Sequence, residues 1–65
     1  MNNVEYFGEI VEHHQYKKYV FIVCLKNEEY SLIIHNRVLN STQLLAKSHD
    51  FELINFIIRE KISQL

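Results

Sequence analysis

The sequence has no proline and no tryptophan, and its 65 residues include one glycine and one cysteine. With Cys24 alone, a disulfide within the chain is excluded, and a zinc site of the Cys type would need further thiols. A chain of this length buries only about 60% of the surface that its unfolded form exposes. We therefore expect one small domain, residues 1–65, stabilised by packing or by self-association.

Charge and hydropathy exclude further classes of protein. The formal net charge is −1 and apolar residues make up 48% of the chain, which indicates neither a strongly basic nucleic-acid-binding protein nor a disordered chain. The longest apolar runs are far shorter than the roughly 20 residues that cross a bilayer. The first ten residues lack the basic and apolar regions of a signal peptide. We expect a cytoplasmic protein that does not bind a membrane.

Apolar, aromatic and β-branched residues indicate three strands separated by two polar breaks. The predicted strands are residues 4–12, 19–26 and 30–35. A one-residue slip would move the apolar side chains of a strand to its other face. The preferred register therefore places Leu25 opposite Tyr30 in the second hairpin, with a four-residue loop favoured. The same reasoning places Ile10 opposite Phe21 in the first hairpin, across the polar stretch 13–18.

Helical periodicity follows the strands. From about His49 to the C-terminus, apolar residues recur at helical spacing behind Ser48 as a possible N-cap. Residues 41–47 are predicted to form a short extra helix capped by Asn40, separate from the long helix or continuous with it. The expected fold class is α+β, a three-stranded antiparallel β-meander packed on one face by a C-terminal amphipathic helix.

The predicted register leaves one sheet face with more apolar side chains than a solvated face carries. The candidate partner-binding residues on this face are Phe7, Val11, Val20, Ile22, Cys24 and Ile33. Large contiguous apolar patches mark interfaces, so we expect a protein-binding face, serving a homodimer or a different partner. The alternatives are that the short helix or the N-terminal tail covers this face, or that the sheet curls towards a half-barrel.

A second hypothesis is a small nucleic-acid-binding regulator. The basic and aromatic stretch 13–18 could contact phosphates and stack a base. The candidate residues are Tyr16, Lys17, Lys18 and Arg37. Glu9 and Glu12 offset the charge of this stretch, and protein binding is therefore the favoured hypothesis.

The sequence shows no catalytic or metal-binding motif. His13 and His14 are adjacent, so on a strand they would point to opposite faces, and His35 and His49 lack metal-ligand spacing. Cys24 lies in an apolar run that disfavours the thiolate needed for a Cys–His dyad. We expect no enzyme, no cofactor and no metal. The isoleucine- and asparagine-rich composition is typical of a small phage- or mobile-element-encoded inhibitor or regulator.

Overall fold

Four antiparallel strands and one α-helix make up the fold in a computed structural model that describes residues 4–65. The elements are, in chain order, a 3₁₀ helix Val4–Phe7, β1 Glu9–Tyr16, β2 Tyr19–Lys26, β3 Glu29–Asn36, β4 Ser41–Ser48 and α1 Phe51–Gln64. The strands lie side by side in the order β1-β2-β3-β4. The sheet face that packs against α1 is called the inner face, and the opposite one the outer face. The α+β class and the C-terminal helix are confirmed, but three strands is the wrong number.

The additional strand is β4, which occupies the residues predicted as a short helix. Asn40, the predicted helix cap, instead ends the turn before β4 with φ 55°. A β-bulge interrupts β4, and the consecutive residues Leu45 and Ala46 both pack against the inner core. Two neighbouring apolar residues on one side break the alternation that identifies a strand. The bulge therefore concealed β4 in the sequence.

The first hairpin differs from its prediction in both position and register. β1 begins at Glu9 and runs to Tyr16, so only residues 17 and 18 form the turn. The polar stretch before the turn is accommodated because β1 is an edge strand whose side chains are mostly exposed. Ile10 lies opposite Cys24 rather than Phe21, and a bulge follows it. The predicted pairing is wrong because it was chosen to place apolar residues opposite one another. In an edge strand that is mostly exposed, the burial of apolar side chains does not determine the register.

The second hairpin has the predicted register. The paired residues include Leu25 with Tyr30, Val23 with Leu32 and Phe21 with Ile34. The loop, however, has two residues rather than four: Asn27 and Glu28, with φ 53° and 65°. Two positive φ values are typical of a type I′ turn, which fits the twist of the flanking strands. A side chain such as that of Glu28 costs roughly 1–2 kcal/mol in this conformation.

The main core lies between α1 and the inner face. Its buried residues are Phe21, Val23, Leu32, Ile54 and Ile58. α1 starts after Asp50, whose Oδ1 accepts hydrogen bonds from the backbone N–H groups of Glu52 and Leu53 at 3.0 and 3.4 Å. Asp50 is thus the N-cap. Ser48, the predicted cap, accepts a hydrogen bond from the Asp50 N–H through its hydroxyl at 2.9 Å.

Replacing Glu28→Gly should raise the free energy of unfolding by about 1 kcal/mol, because glycine adopts a positive φ without the penalty that other residues carry. In a chain this small, that gain corresponds to a rise of about 4–8 °C in Tm. Urea unfolding followed by circular dichroism measures the change. Gln43→Gly, at an exposed position of β4, is the control and should be destabilising by about 0.5–1 kcal/mol. Equal effects of the two substitutions would contradict the turn geometry.

Candidate functional surfaces

The outer face carries a second, smaller apolar cluster. Cys24 and Ile33 have exposed fractions of 0% and 1%, although they lie on the face opposite α1. Phe7 and Ile22 are half-buried and pack against this pair. Phe7 belongs to the 3₁₀ helix, so the segment before β1 covers part of the outer face. An N-terminal tail is one of the alternative covers that the sequence indicates for this face. For the part of the face around Cys24 and Ile33, the segment with Phe7 is such a cover.

Gly8 allows the 3₁₀ helix to lie this close to the sheet. Its φ is 109°, and a Cβ added there would lie 2.7 Å from the Cβ of Lys26 and 2.8 Å from the carbonyl carbon of Leu25. Both distances are shorter than van der Waals contact, so a larger residue would push the segment away from β2. The one glycine of the sequence thus stands at a point of close backbone approach.

The candidate partner-binding residues divide into a covered and an open group. Cys24, Ile33 and Phe7 belong to the cluster just described. Val20 and Ile22 are half-buried outer-face residues of β2, whereas Val11 stands at the bulge of β1 and is 42% exposed. The covered group contributes to the stability of the chain itself. Ile22 also packs against Cys24 and Ile33, and like Phe7 it is half-buried, so the open group is partly accessible to a partner.

Two exposed outer-face residues were missed by the sequence reasoning. Ile10 is 49% exposed opposite Cys24, and Leu44 is 42% exposed opposite Ile33. Ile10 had been assigned to the inner face by the wrong register, and Leu44 to a helix. Ile22 of β2 lies on the same face, next to the buried Ile33 that separates it from Leu44. We call Ile10, Ile22 and Leu44 the outer strip.

A different surface lies at one end of the sheet, where two turns meet. The backbone N–H of Arg37, in the turn between β3 and β4, donates to the carbonyl of Lys18 at 2.7 Å. The Nζ atoms of Lys17 and Lys18 lie 5.3 and 5.6 Å from the ring centroids of Tyr16 and Tyr19. The structure therefore brings together the four residues of the nucleic-acid hypothesis. Lys17, Lys18 and Arg37 are called the basic end.

Two exposed aliphatic side chains accompany the basic end. Val38 and Leu39 each have an exposed fraction of 73%. The Oδ1 atom of Asn36 accepts hydrogen bonds from their backbone N–H groups at 3.0 and 3.1 Å. An Asn side chain that bonds to the following backbone in this way stabilises the turn. The two aliphatic groups are thus held in solvent beside three cations.

The opposite end of the sheet has a cleft of about 340 Å³. Its lining residues are Tyr6, Phe7, Lys26, Asn27, Glu29, Ser31, Lys47 and His49. Lys47 pairs with Glu29 at 3.8 Å, while the Nζ atom of Lys26 donates to the Tyr6 carbonyl at 3.4 Å and lies 5.4 Å from its ring. Lys47 therefore has a carboxylate partner and Lys26 a carbonyl partner, whereas the contacts of Lys17 and Lys18 are with aromatic rings.

Three of the four histidines have structural contacts. The Nε2 atom of His14 lies 3.1 Å from Glu12, and the Nδ1 atom of His35 lies 2.9 Å from the hydroxyl of Thr42. The Nδ1–H group of His49 donates to a backbone carbonyl at 2.9 Å. Within residues 4–65 there is no group of three or more His, Cys, Asp or Glu residues that could hold a metal ion.

The thiol of Cys24 is unsuited to nucleophilic chemistry. Burial raises its pKa, because a thiolate loses solvation in the apolar cluster. A higher pKa lowers the fraction of thiolate, the reactive form, at any given pH. Cys24 therefore acts as a small packing residue at the centre of the outer face.

Comparisons with protein-family models, curated proteins and solved structures yield no match to this chain. Across residues 4–65, no helix has the length and apolar character needed to cross a membrane.

Cys24 should react with a thiol reagent at least about 100-fold more slowly in the native chain than in concentrated guanidinium chloride. Reaction requires local opening of the cluster, and this ratio corresponds to an opening free energy of about 2.7 kcal/mol. Absorbance after adding Ellman's reagent measures the rate. A Cys24→Ala chain carrying Ser63→Cys, an exposed thiol on α1, is the control and should react fast in both conditions. Fast reaction of native Cys24 would show that Phe7 does not protect it.

Proposed function

We propose that this chain is a small non-enzymatic interaction module that binds protein through its outer face, with a second copy of itself as the partner. The proposal rests on one observation, the half-exposed Ile10 and Leu44 at the two edges of the outer face. Together with the half-buried Ile22 of the same face they make up the outer strip, which flanks the buried Cys24 and Ile33. A module of this kind acts as an inhibitor or regulator by occluding a surface, and it needs no catalytic group.

Burial of the outer strip would contribute a free energy comparable to the cost of association. Fully burying a large aliphatic side chain contributes about 1.5–3 kcal/mol. Two copies contribute six such side chains, each already partly buried, so the gain is about 5–9 kcal/mol. Association costs on the order of 4–15 kcal/mol. Because these terms are comparable, we expect a dimer whose population depends on concentration in the laboratory range.

The charges of the outer face favour a second copy as the partner. A twofold interface brings the same patch together twice, so an uncompensated charge on the patch would meet itself. The ionic side chains Lys47 and Glu29 of this face pair with each other at 3.8 Å, and Lys26 is held by Tyr6. The strip itself is aliphatic and is bordered by His13, Gln15 and Thr42. Two copies can therefore approach without repulsion between like charges.

Replacing Ile10→Lys together with Leu44→Lys should convert a dimer into a monomer, because two ammonium groups would have to be buried without partners. Light scattering across a concentration series measures the mass, and circular dichroism checks the fold. The matched control is Leu53→Lys with Phe56→Lys, a pair on α1 with exposed fractions of 46% and 50%. The control variant should keep the wild-type mass.

Two results would overturn this proposal. One is a wild-type chain that stays monomeric at every concentration tested, since the outer strip would then not be a self-interface. The other is dissociation by the α1 pair with no effect of the outer pair, which would place the interface on the helix.

A further inference from the structure

The basic end holds three cations that take part in neither of the ion pairs found within residues 4–65. We propose that it binds single-stranded nucleic acid, with phosphates at Lys17, Lys18 and Arg37 and bases against Val38 and Leu39. This inference is independent of the proposed function, because it concerns the end of the sheet rather than its outer face.

Charge is unevenly distributed along the sheet. The segments 13–27 and 30–49, which contain both turns of the basic end, have no Asp or Glu. Lys17, Lys18 and Arg37 take part in neither of the ion pairs found within residues 4–65. The acidic residues of the opposite end include Glu9, Glu28, Glu29, Asp50 and Glu52. The net charge of −1 therefore conceals a molecule with one positive end.

The cations of the basic end come from two separate turns that a hydrogen bond holds together. The hydrogen bond of 2.7 Å from the Arg37 N–H to the Lys18 carbonyl joins the two turns. The Asn36 side chain then stabilises the backbone that follows Arg37. A preorganised cluster of cations loses less conformational entropy on binding than three cations on a flexible chain. The arrangement suits a ligand with regularly spaced negative charges.

Exposed apolar side chains accompany the cations of the basic end. A single strand offers phosphates and unstacked bases side by side, whereas a duplex hides the faces of its bases. Val38 and Leu39, each 73% exposed, supply contact area for such bases. The rings of Tyr16 and Tyr19 pack against the main core, so the two aliphatic side chains are the apolar groups offered to the bases. An anionic membrane is less suited, because polybasic segments that bind lipid carry about four to eight Lys or Arg residues.

Counterion release determines how steeply the binding constant is expected to fall with salt concentration. Three phosphate contacts on a single strand predict that log K falls with log salt with a slope of about −2. Non-specific binding of this kind has a Kd of about 10⁻⁴ to 10⁻⁶ M at physiological salt. Low salt is therefore the condition in which the interaction is measured best.

The test is fluorescence anisotropy of a labelled single-stranded DNA oligonucleotide of mixed sequence, titrated with the full chain at several salt concentrations. Lys17→Gln with Lys18→Gln should weaken binding about tenfold at low salt and bring the slope to about −0.7, the value for one remaining contact. Val38→Ser with Leu39→Ser should weaken binding and leave the slope unchanged, because those side chains meet bases rather than phosphates.

The control is Lys26→Gln with Lys47→Gln, which removes the same charge at the opposite end of the sheet and should leave binding and slope close to wild type. The masses of both variants are measured in parallel by light scattering, because Lys47 pairs with Glu29 on the outer face. Lys17 and Lys18 lie outside the outer strip, so the mass of their variant should equal the wild-type mass. A loss of nucleic-acid binding is then separated from a loss of self-association.

The proposal is overturned by a flat titration at low salt, or by equal losses in the control and the basic-end variants. Tighter binding to a duplex of the same sequence would overturn the single-strand assignment. Vesicles containing phosphatidylserine form a further arm. If they bind the chain through Lys17 and Lys18 while the oligonucleotide does not, the ligand is a membrane surface and the proposal is wrong.

Discussion

The fold depends on the central hairpin of β2 and β3, which buries side chains on both of its faces. Phe21, Val23 and Leu32 are covered by α1, whereas Cys24 and Ile33 need a cover of their own. Residues 4–65 contain one α-helix, and within that range the outer face is covered by the short 3₁₀ helix with Phe7. That helix is too small to span four strands. The aliphatic side chains beyond its reach remain accessible as the outer strip.

The two ends of the sheet differ because the hairpin turns differ in charge. Lys17 and Glu28 each take a positive φ, at 58° and 65°, where glycine would be less strained. Each turn therefore carries a charged side chain at the tip of a hairpin, positive at one end and negative at the other. A second turn adds Arg37 to the positive end, and the start of α1 adds Asp50 to the negative end. In an antiparallel sheet, successive turns lie at alternate ends. Positive and negative turns that alternate along the sequence are therefore placed at opposite ends of the sheet.

The periodicity of the sequence predicts the pairing of two strands correctly where both strands have buried side chains. The pairing of Leu25 with Tyr30 could be predicted, because a slip would expose the apolar residues of both strands. Edge strands lack that constraint. The bulges in β1 and β4 shift the alternation, and the shift hid β4 and misplaced Ile10. The basic residues were named from the sequence, but their proximity was not, because it arises from the hydrogen bond between two distant turns.

The outer strip and the basic end lie on different parts of the molecule, so both can be occupied at once. A twofold dimer formed through the outer strip would carry two basic ends, one from each copy. A strand long enough to reach both would gain affinity from the second contact without any new kind of interaction. Its binding would also fall more steeply with salt, because the counterions released at the two ends add. Weak binding by three cations is therefore compatible with a regulator whose effective ligand is a long strand rather than a short one.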